Sequence, residues 1–209
     1  IFSLPYIYLI IIWGNIIPSG DALGRGIGNK VYLNHIGYTA TIIAFYLLPL
    51  LFYKKNSFTN QLKNFFNEKK NYYLISLFFI YLIYLIIFYD YENETKIGKG
   101  FVHKISVIMF SEKLSQEIFI YFAFFVSWII ILIYFKNNLK DKLIIFYFFI
   151  ISAILWPVLQ EYFDPLIILM AFTFFGSKLF ITYQRSILLY FYLTVLLVSS
   201  NIYYYNLLN

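Results

Sequence analysis

The stretch Tyr72–Tyr89, YYLISLFFIYLIYLIIFY, decides the fold of this chain. It contains no charged residue, and its length is close to the ~20 apolar residues that an α-helix needs to cross a bilayer. Its apolar residues are continuous, whereas a membrane β-strand alternates polar and apolar positions. Since only helices and closed barrels satisfy every backbone group in lipid, the stretch is predicted to be a transmembrane helix.

Similar apolar blocks lie on both sides of this stretch. They are predicted to be further spans, at Ile1–Pro18, Ile36–Tyr53, Ile118–Phe135, Leu143–Val158, Pro165–Tyr183 and Ile187–Tyr205. The composition agrees, because only 12% of the residues are charged, against about 25% in an ordinary soluble domain. The predicted fold is all-α, a polytopic transmembrane helical bundle of about seven spans that forms a single domain over residues 1–209. Because Ile1 lies inside an apolar block, we expect a fragment that lacks the N-terminal part.

Lys and Arg concentrate in alternate connections, which predicts the topology. By the positive-inside rule, the cytoplasmic connections are the basic ones: 54–70, 136–142, and the connection between the sixth and seventh spans, with Lys178 and Arg185. The outer connections are then 18–35, 90–117 and 159–164, and the C-terminus is also outside. The composition favours a bacterial inner membrane, with the endoplasmic reticulum as the alternative.

The composition also excludes several classes of function. The chain has no cysteine, which rules out disulfides, thiol catalysis and cysteine metal sites. It has only 2 histidines, so no metal site is predicted, and no cofactor is expected. The net charge of +6 comes from basic residues in short connections, which is a topology signal, so no nucleic-acid partner is predicted.

The first outer connection is rich in glycine and carries Asp21, Arg25 and His35. Glycines allow backbone amides to approach an anion closely, and an Arg guanidinium can bind a phosphate through two parallel hydrogen bonds. A flexible turn between two helices explains the same glycines. The residues therefore predict a phosphate contact and leave a simple turn as the alternative.

The other two outer connections carry further polar residues. In 90–117, Phe101, Ile105, Ile108 and Met109 recur at helical spacing, which predicts a short amphipathic helix lying on the membrane surface. This places His103 and Lys104 at the level of anionic headgroups, where ordinary phospholipids are as good a partner as a specific substrate. The third connection carries Gln160, Glu161, Tyr162 and Asp164. Asp164 followed by Pro165 is a typical helix start, whereas Gln160 and Glu161 have no such structural explanation.

Three of these segments resemble outer segments of GT-C class glycosyltransferases, polytopic enzymes that use polyprenyl-phosphate sugars. They are Gln160–Leu166, Gly98–Ser106 and the Gly20–Asp21 loop with the following His35. The resemblance implies a helical bundle with its active site on the periplasmic or luminal face. It also implies a polyprenyl-phosphate sugar donor and a glycan or lipid acceptor.

The resemblance further implies roles for individual residues. If the chain is nearly complete, Asp21 would be the catalytic base; if it is a C-terminal portion, that acid would lie in the missing N-terminal part. Arg25, His103 and Lys104 would contact the phosphate. Gln160, Glu161 and Tyr162 would contact the sugar or the acceptor, with His35 and Asp164 also at the substrate site. Two other functions stay open: a transporter or flippase of lipid-linked glycans, and a noncatalytic membrane subunit.

Overall fold

A computed structural model describes residues 8, 11, 12, 31–51, 58–88, 100–135, 139–154, 166–176 and 183–208. These residues form helices and their connections, with no strand among them. The helices are α1 (Asn34–Leu51), α2 (Phe58–Phe66), α3 (Lys69–Phe88), α4 (Gly100–Met109), α5 (Lys113–Tyr134), α6 (Leu139–Ile154), α7 (Leu166–Thr173) and α8 (Tyr183–Leu208). The all-α prediction is therefore confirmed for the described part of the chain.

Helix α1 is the centre of the bundle. It packs against α4, α5, α6, α7 and α8, and 83% of its residues are buried. Small residues such as Gly37, Ala40 and Ala44 allow neighbouring helices to approach it closely, and the helix carries no acidic or basic side chain except His35. Helix α3 shows the opposite pattern, because most of its apolar side chains are exposed.

The directions of the helices follow from two contacts. Helix α6 follows α5 after a short connection, and its last turn meets the start of α1, where the Tyr32 amide donates to the Ala153 carbonyl at 2.8 Å. At the other end of α6, both carboxylate oxygens of the buried Asp141 accept from the Gly176 amide, at 3.0 and 3.2 Å. Helices α1 and α5 therefore begin at the same end of the bundle, which is the predicted outer end.

A proline inside α1 is compensated by another helix. Pro49 has no N–H, so the Phe45 carbonyl loses the hydrogen bond that the residue four positions later would donate. The Tyr192 hydroxyl of α8 donates to this carbonyl at 2.9 Å, and the Tyr192 and Phe45 rings lie 4.9 Å apart. This contact satisfies the carbonyl and fixes α8 against the middle of α1.

Three of the described helices, α1, α3 and α5, are long and apolar enough to cross a membrane. The helices begin earlier than the predicted spans: α3 begins at Lys69 instead of Tyr72, α5 at Lys113 instead of Ile118, and α6 at Leu139 instead of Leu143. Polar residues in first turns account for this shift, because a hydropathy pattern does not register them. The predicted span Ile1–Pro18 lies almost entirely outside the described residues.

The predicted span Pro165–Tyr183 is interrupted within the described residues, because α7 ends at Thr173. The amides of Phe174 and Phe175 both donate to the Met170 carbonyl at 2.9 Å, which closes the last turn. The next amide, that of Gly176, is held by the Asp141 carboxylate. Hydropathy does not reveal this end, since Phe174 and Phe175 are as apolar as the helix before them.

The connection 54–70 was predicted only as a basic cytoplasmic loop, but it contains α2. This helix places Phe65 in the core, whereas Asn60 and Lys63 are exposed. The Asn71 side-chain amide donates to the Phe65 carbonyl at 2.7 Å and so joins the end of α2 to the start of α3. Helix α2 therefore closes the predicted cytoplasmic end of the bundle.

Candidate functional site

The start of α1 is polar and buried. Asn34 and His35 are both buried there, and the imidazole of His35 stacks on the Tyr32 ring, with centroids 4.8 Å apart and planes 14° apart. Buried polar side chains are expensive unless they make specific contacts, so this end is a functional candidate in an otherwise apolar helix.

The hydroxyl of Tyr81, on α3, lies inside the first turn of α1. It accepts from the Gly37 amide at 3.0 Å and donates to the Leu33 carbonyl at 2.8 Å. In a regular helix the Gly37 amide would donate directly to that carbonyl. The Tyr81 hydroxyl therefore bridges the two groups and holds the polar start of α1 against α3.

Helix α4 packs against α5 and α1. Gly100 has a φ of 67°, and a Cβ at this position would lie 3.2 Å from the Ile42 side chain, so glycine suits both the backbone and the packing. Ile42 is eight residues, or about 12 Å, beyond the start of α1. At the other end, the Phe110 ring lies 5.6 Å from Phe119 of α5.

These contacts fix the register between α4 and α1. Gly37 lies against Phe124 of α5, so Phe119, five residues earlier on a helix of the same direction, is level with about residue 32. The segment from Gly100 to Phe110 therefore runs from the level of residue 42 of α1 to about the level of residue 32. The two helices are thus nearly antiparallel. A short helix is present where the sequence predicts one, and it packs against both α5 and α1.

The two faces of α4 have different environments. Its buried residues are Gly100, Val102, His103 and Ser106. Its exposed residues include Ile105, Ile108 and Met109, which belong to the apolar stripe found in the sequence. His103 is therefore buried in the bundle, whereas the sequence analysis placed it at the level of the headgroups. Lys104 is half-buried.

Of the predicted site residues, the structure describes His35 on α1 and His103 and Lys104 on α4. His35 and His103 are both buried on helices that pack against each other. The other predicted site residues lie outside the described ranges: Asp21, Arg25, Gln160, Glu161, Tyr162 and Asp164. Their roles stay predictions.

Several buried polar residues were not singled out from the sequence. Asn34 and Thr39 lie in the first half of α1, and Ser106 lies in α4. Asp141 lies at the opposite end of the bundle. For Asp141 a signal existed, since a carboxylate in the first turn of an apolar helix is favoured by the helix dipole. For Thr39, Asn34 and Ser106 no local signal separates a buried polar residue from an exposed one.

The polar end of α1 has basic groups and a carboxylate at the same end of the bundle, since Glu117, on the helix α5 that packs against both α1 and α4, accepts from the Tyr121 hydroxyl at 3.0 Å. The helices α1 and α4 that form it contain two imidazoles and Lys104 but no carboxylate. Among the described residues, no three His, Asp or Glu side chains cluster in a way that would hold a metal ion.

No protein-family model matches the chain, and comparisons with curated proteins and with solved structures find no match.

Proposed function

We propose that this chain is a polytopic membrane protein of about seven spans whose working face is the outer end of the bundle. The support is the length and apolar character of α1, α3 and α5, together with the exposed apolar side chains of α3, among them Ile80, Ile83 and Ile87. Such a surface is suited to lipid. The C-terminus would lie outside, in a bacterial inner membrane.

Topology can be tested directly, because the chain has no native cysteine. Single cysteines at the exposed positions Ser111, between α4 and α5, and Asn60, on α2, would report on the two ends of the bundle. In intact spheroplasts, a membrane-impermeant maleimide should label Ser111→Cys. It should label Asn60→Cys only after permeabilisation. Labelling of both variants in intact spheroplasts would contradict the topology.

At the outer end we propose a glycosyltransferase that moves a sugar from a polyprenyl-phosphate donor to a glycan or lipid acceptor. The observation that carries this proposal is the burial of His35 and His103 on two packed helices that contain no carboxylate. A buried polar end of the bundle beside exposed apolar surface suits a substrate with a phosphate head and a polyprenyl tail.

The reaction would be a displacement at the anomeric carbon. The acceptor hydroxyl oxygen forms the new bond to that carbon, and the bond to the phosphate oxygen breaks, so polyprenyl phosphate leaves with the electron pair. Asp21 would take the hydroxyl proton, and Arg25, His103 and Lys104 would stabilise the phosphate. Gln160, Glu161 and Tyr162 would orient the sugar or the acceptor.

The test is sugar transfer by the purified chain in proteoliposomes, with radiolabelled polyprenyl-phosphate sugars as donors. Asp21→Asn should lower kcat by about 10²-fold or more, because general-base catalysis contributes about 10²–10⁴. Lys63→Ala, at the opposite end, is the control and should keep wild-type rates. No transfer by the wild-type chain from any such donor, or full activity of Asp21→Asn, would refute the proposal.

One observation also favours a noncatalytic membrane subunit. His35 is only 2% exposed and stacked on Tyr32, which is an environment that a purely structural histidine can occupy. In that case the wild-type chain would show no transfer, and His35→Asn would lower only stability.

A further inference from the structure

One buried hydroxyl group differs from the others in the described helices. A Ser or Thr in a helix commonly donates to the carbonyl about one turn earlier. The hydroxyls that do so here are those of Thr41, Ser76, Ser106, Ser152 and Thr173. Thr39 is 0% exposed, and its hydroxyl has no hydrogen-bond partner. A buried polar group in this state is unfavourable, which points to a partner that binds there.

By helical periodicity, Thr39 lies on the same side of α1 as Ile42, which contacts α4. His35, Thr39 and Ile42 follow one another at spacings of four and three, so they form a stripe along one side of the helix. Ile42 contacts Gly100, the first residue of α4. The stripe on α1 is therefore directed toward α4.

The antiparallel register aligns this stripe with the buried stripe of α4. Moving one turn from the contact between Ile42 and Gly100 brings Thr39 level with His103, and a further turn brings His35 level with Ser106. All four residues are buried. We call this set, His35, Thr39, His103 and Ser106, the polar seam.

We propose that the polar seam binds the phosphate group of a polyprenyl phosphate, with the Thr39 hydroxyl donating to a phosphate oxygen and His103 supplying a second donor. This inference deepens the proposed function and rests on it for the choice of ligand. Lys104 adjoins His103, and neither α1 nor α4 contains a carboxylate. Glu117 of the neighbouring helix α5 accepts from the Tyr121 hydroxyl at 3.0 Å. Hydrogen bonds to a charged oxygen are stronger than those to neutral groups, which suits a hydroxyl enclosed by protein.

The experiment uses the 2 histidines of the chain. With ¹⁵N-labelled histidine, the full chain in nanodiscs gives side-chain signals from His35 and His103 alone, and His35→Asn assigns them. Polyprenyl phosphate, phosphatidylglycerol and inorganic phosphate are titrated separately. We expect polyprenyl phosphate to shift the His103 signal at saturation, and the other two probes to leave it in place.

Two isosteric variants test the hydroxyl. Thr39→Val should weaken polyprenyl phosphate binding about tenfold or more, as expected for a lost hydrogen bond to a charged group. Thr41→Val is the matched control, because the Thr41 hydroxyl already donates to the Tyr38 carbonyl at 2.7 Å, and it should bind like the wild type. Thr39→Ser keeps the hydroxyl and should also bind, which separates its loss from a folding defect.

The outcomes separate this inference from the proposed function. If no probe moves the histidine signals, or if Thr39→Val binds as well as Thr41→Val, the polar seam is not a phosphate site. If phosphatidylglycerol or inorganic phosphate shifts His103 as strongly as polyprenyl phosphate, the polyprenyl specificity is wrong. Specific binding of polyprenyl phosphate without sugar transfer would support the polar seam as a phosphate site and contradict the proposed glycosyltransferase activity. Sugar transfer that Thr39→Val does not affect would support the activity and contradict the polar seam as its phosphate site.

Discussion

Replacement of Gly37 by alanine should destabilise the bundle, although alanine is the better helix former. A Cβ at position 37 would overlap the ring of Phe124, since Cδ2, Cε2 and Cζ of that ring all lie closer than a real Cβ tolerates. The ring has little room to move. Phe124 is buried and makes an edge-to-face contact with Tyr38, at 5.0 Å between centroids.

The magnitude follows from two opposing effects. Alanine in place of glycine inside a helix stabilises by about 0.5–1 kcal/mol. Forcing an extra carbon into a well-packed core costs about 1–3 kcal/mol. The overlap involves a rigid ring, so we expect the upper half of this cost and a net loss for Gly37→Ala of about 2 kcal/mol in the free energy of unfolding.

A double-mutant cycle with Phe124→Leu isolates the overlap. Leucine removes the ring carbons that the new Cβ would meet, so Gly37→Ala should become neutral or stabilising in that background, with a coupling energy of about 2–3 kcal/mol. The assay is equilibrium unfolding in mixed micelles with increasing SDS. The packing argument fails if Gly37→Ala has the same effect in both backgrounds, or if it stabilises the wild-type chain.

Two further predictions concern hydrogen bonds between helices, and the same unfolding assay measures both. Tyr192→Phe should cost about 1–3 kcal/mol, because it leaves the Phe45 carbonyl buried without a donor. Pro49→Ala supplies the missing N–H, so Tyr192→Phe should cost clearly less in that background, and an equal cost in both would contradict this explanation. Asp141→Leu should cost about 1.5–3 kcal/mol, because it removes a charged acceptor from the Gly176 amide, whereas Asp141→Asn keeps one acceptor oxygen and should lose less. Equal losses for the two Asp141 variants would show that the carboxylate does not hold the end of α7.

The sequence by itself gives the helical class and the approximate position of α1, α3, α5 and α6. These properties are local, because an uninterrupted apolar block has one way to satisfy its backbone in lipid, whatever surrounds it. Helix ends were less predictable. The end of α7 depends on Asp141, a residue 35 positions away from Gly176, and no local pattern contains that contact.

The low mean hydropathy of α1 is a sequence signal for its central position, although by hydropathy alone α1 is the weakest membrane span of the three. Of α1, α3 and α5, helix α1 has the lowest mean hydropathy and the highest buried fraction. A helix that faces lipid on most sides must be apolar there, whereas a helix surrounded by other helices can carry Asn34, His35 and Thr39. The least apolar of the three long helices is thus the one at the centre.

The candidate site was predicted only in part. The sequence singled out His35 and His103 as site residues from their place in the predicted outer connections. It did not show that both are buried, or that α4 runs along α1 so that Thr39 and His103 are level. That arrangement depends on Gly100 against Ile42 and on Phe110 against Phe119. Composition and periodicity describe each helix separately, and only the tertiary contacts decide which faces of two helices meet.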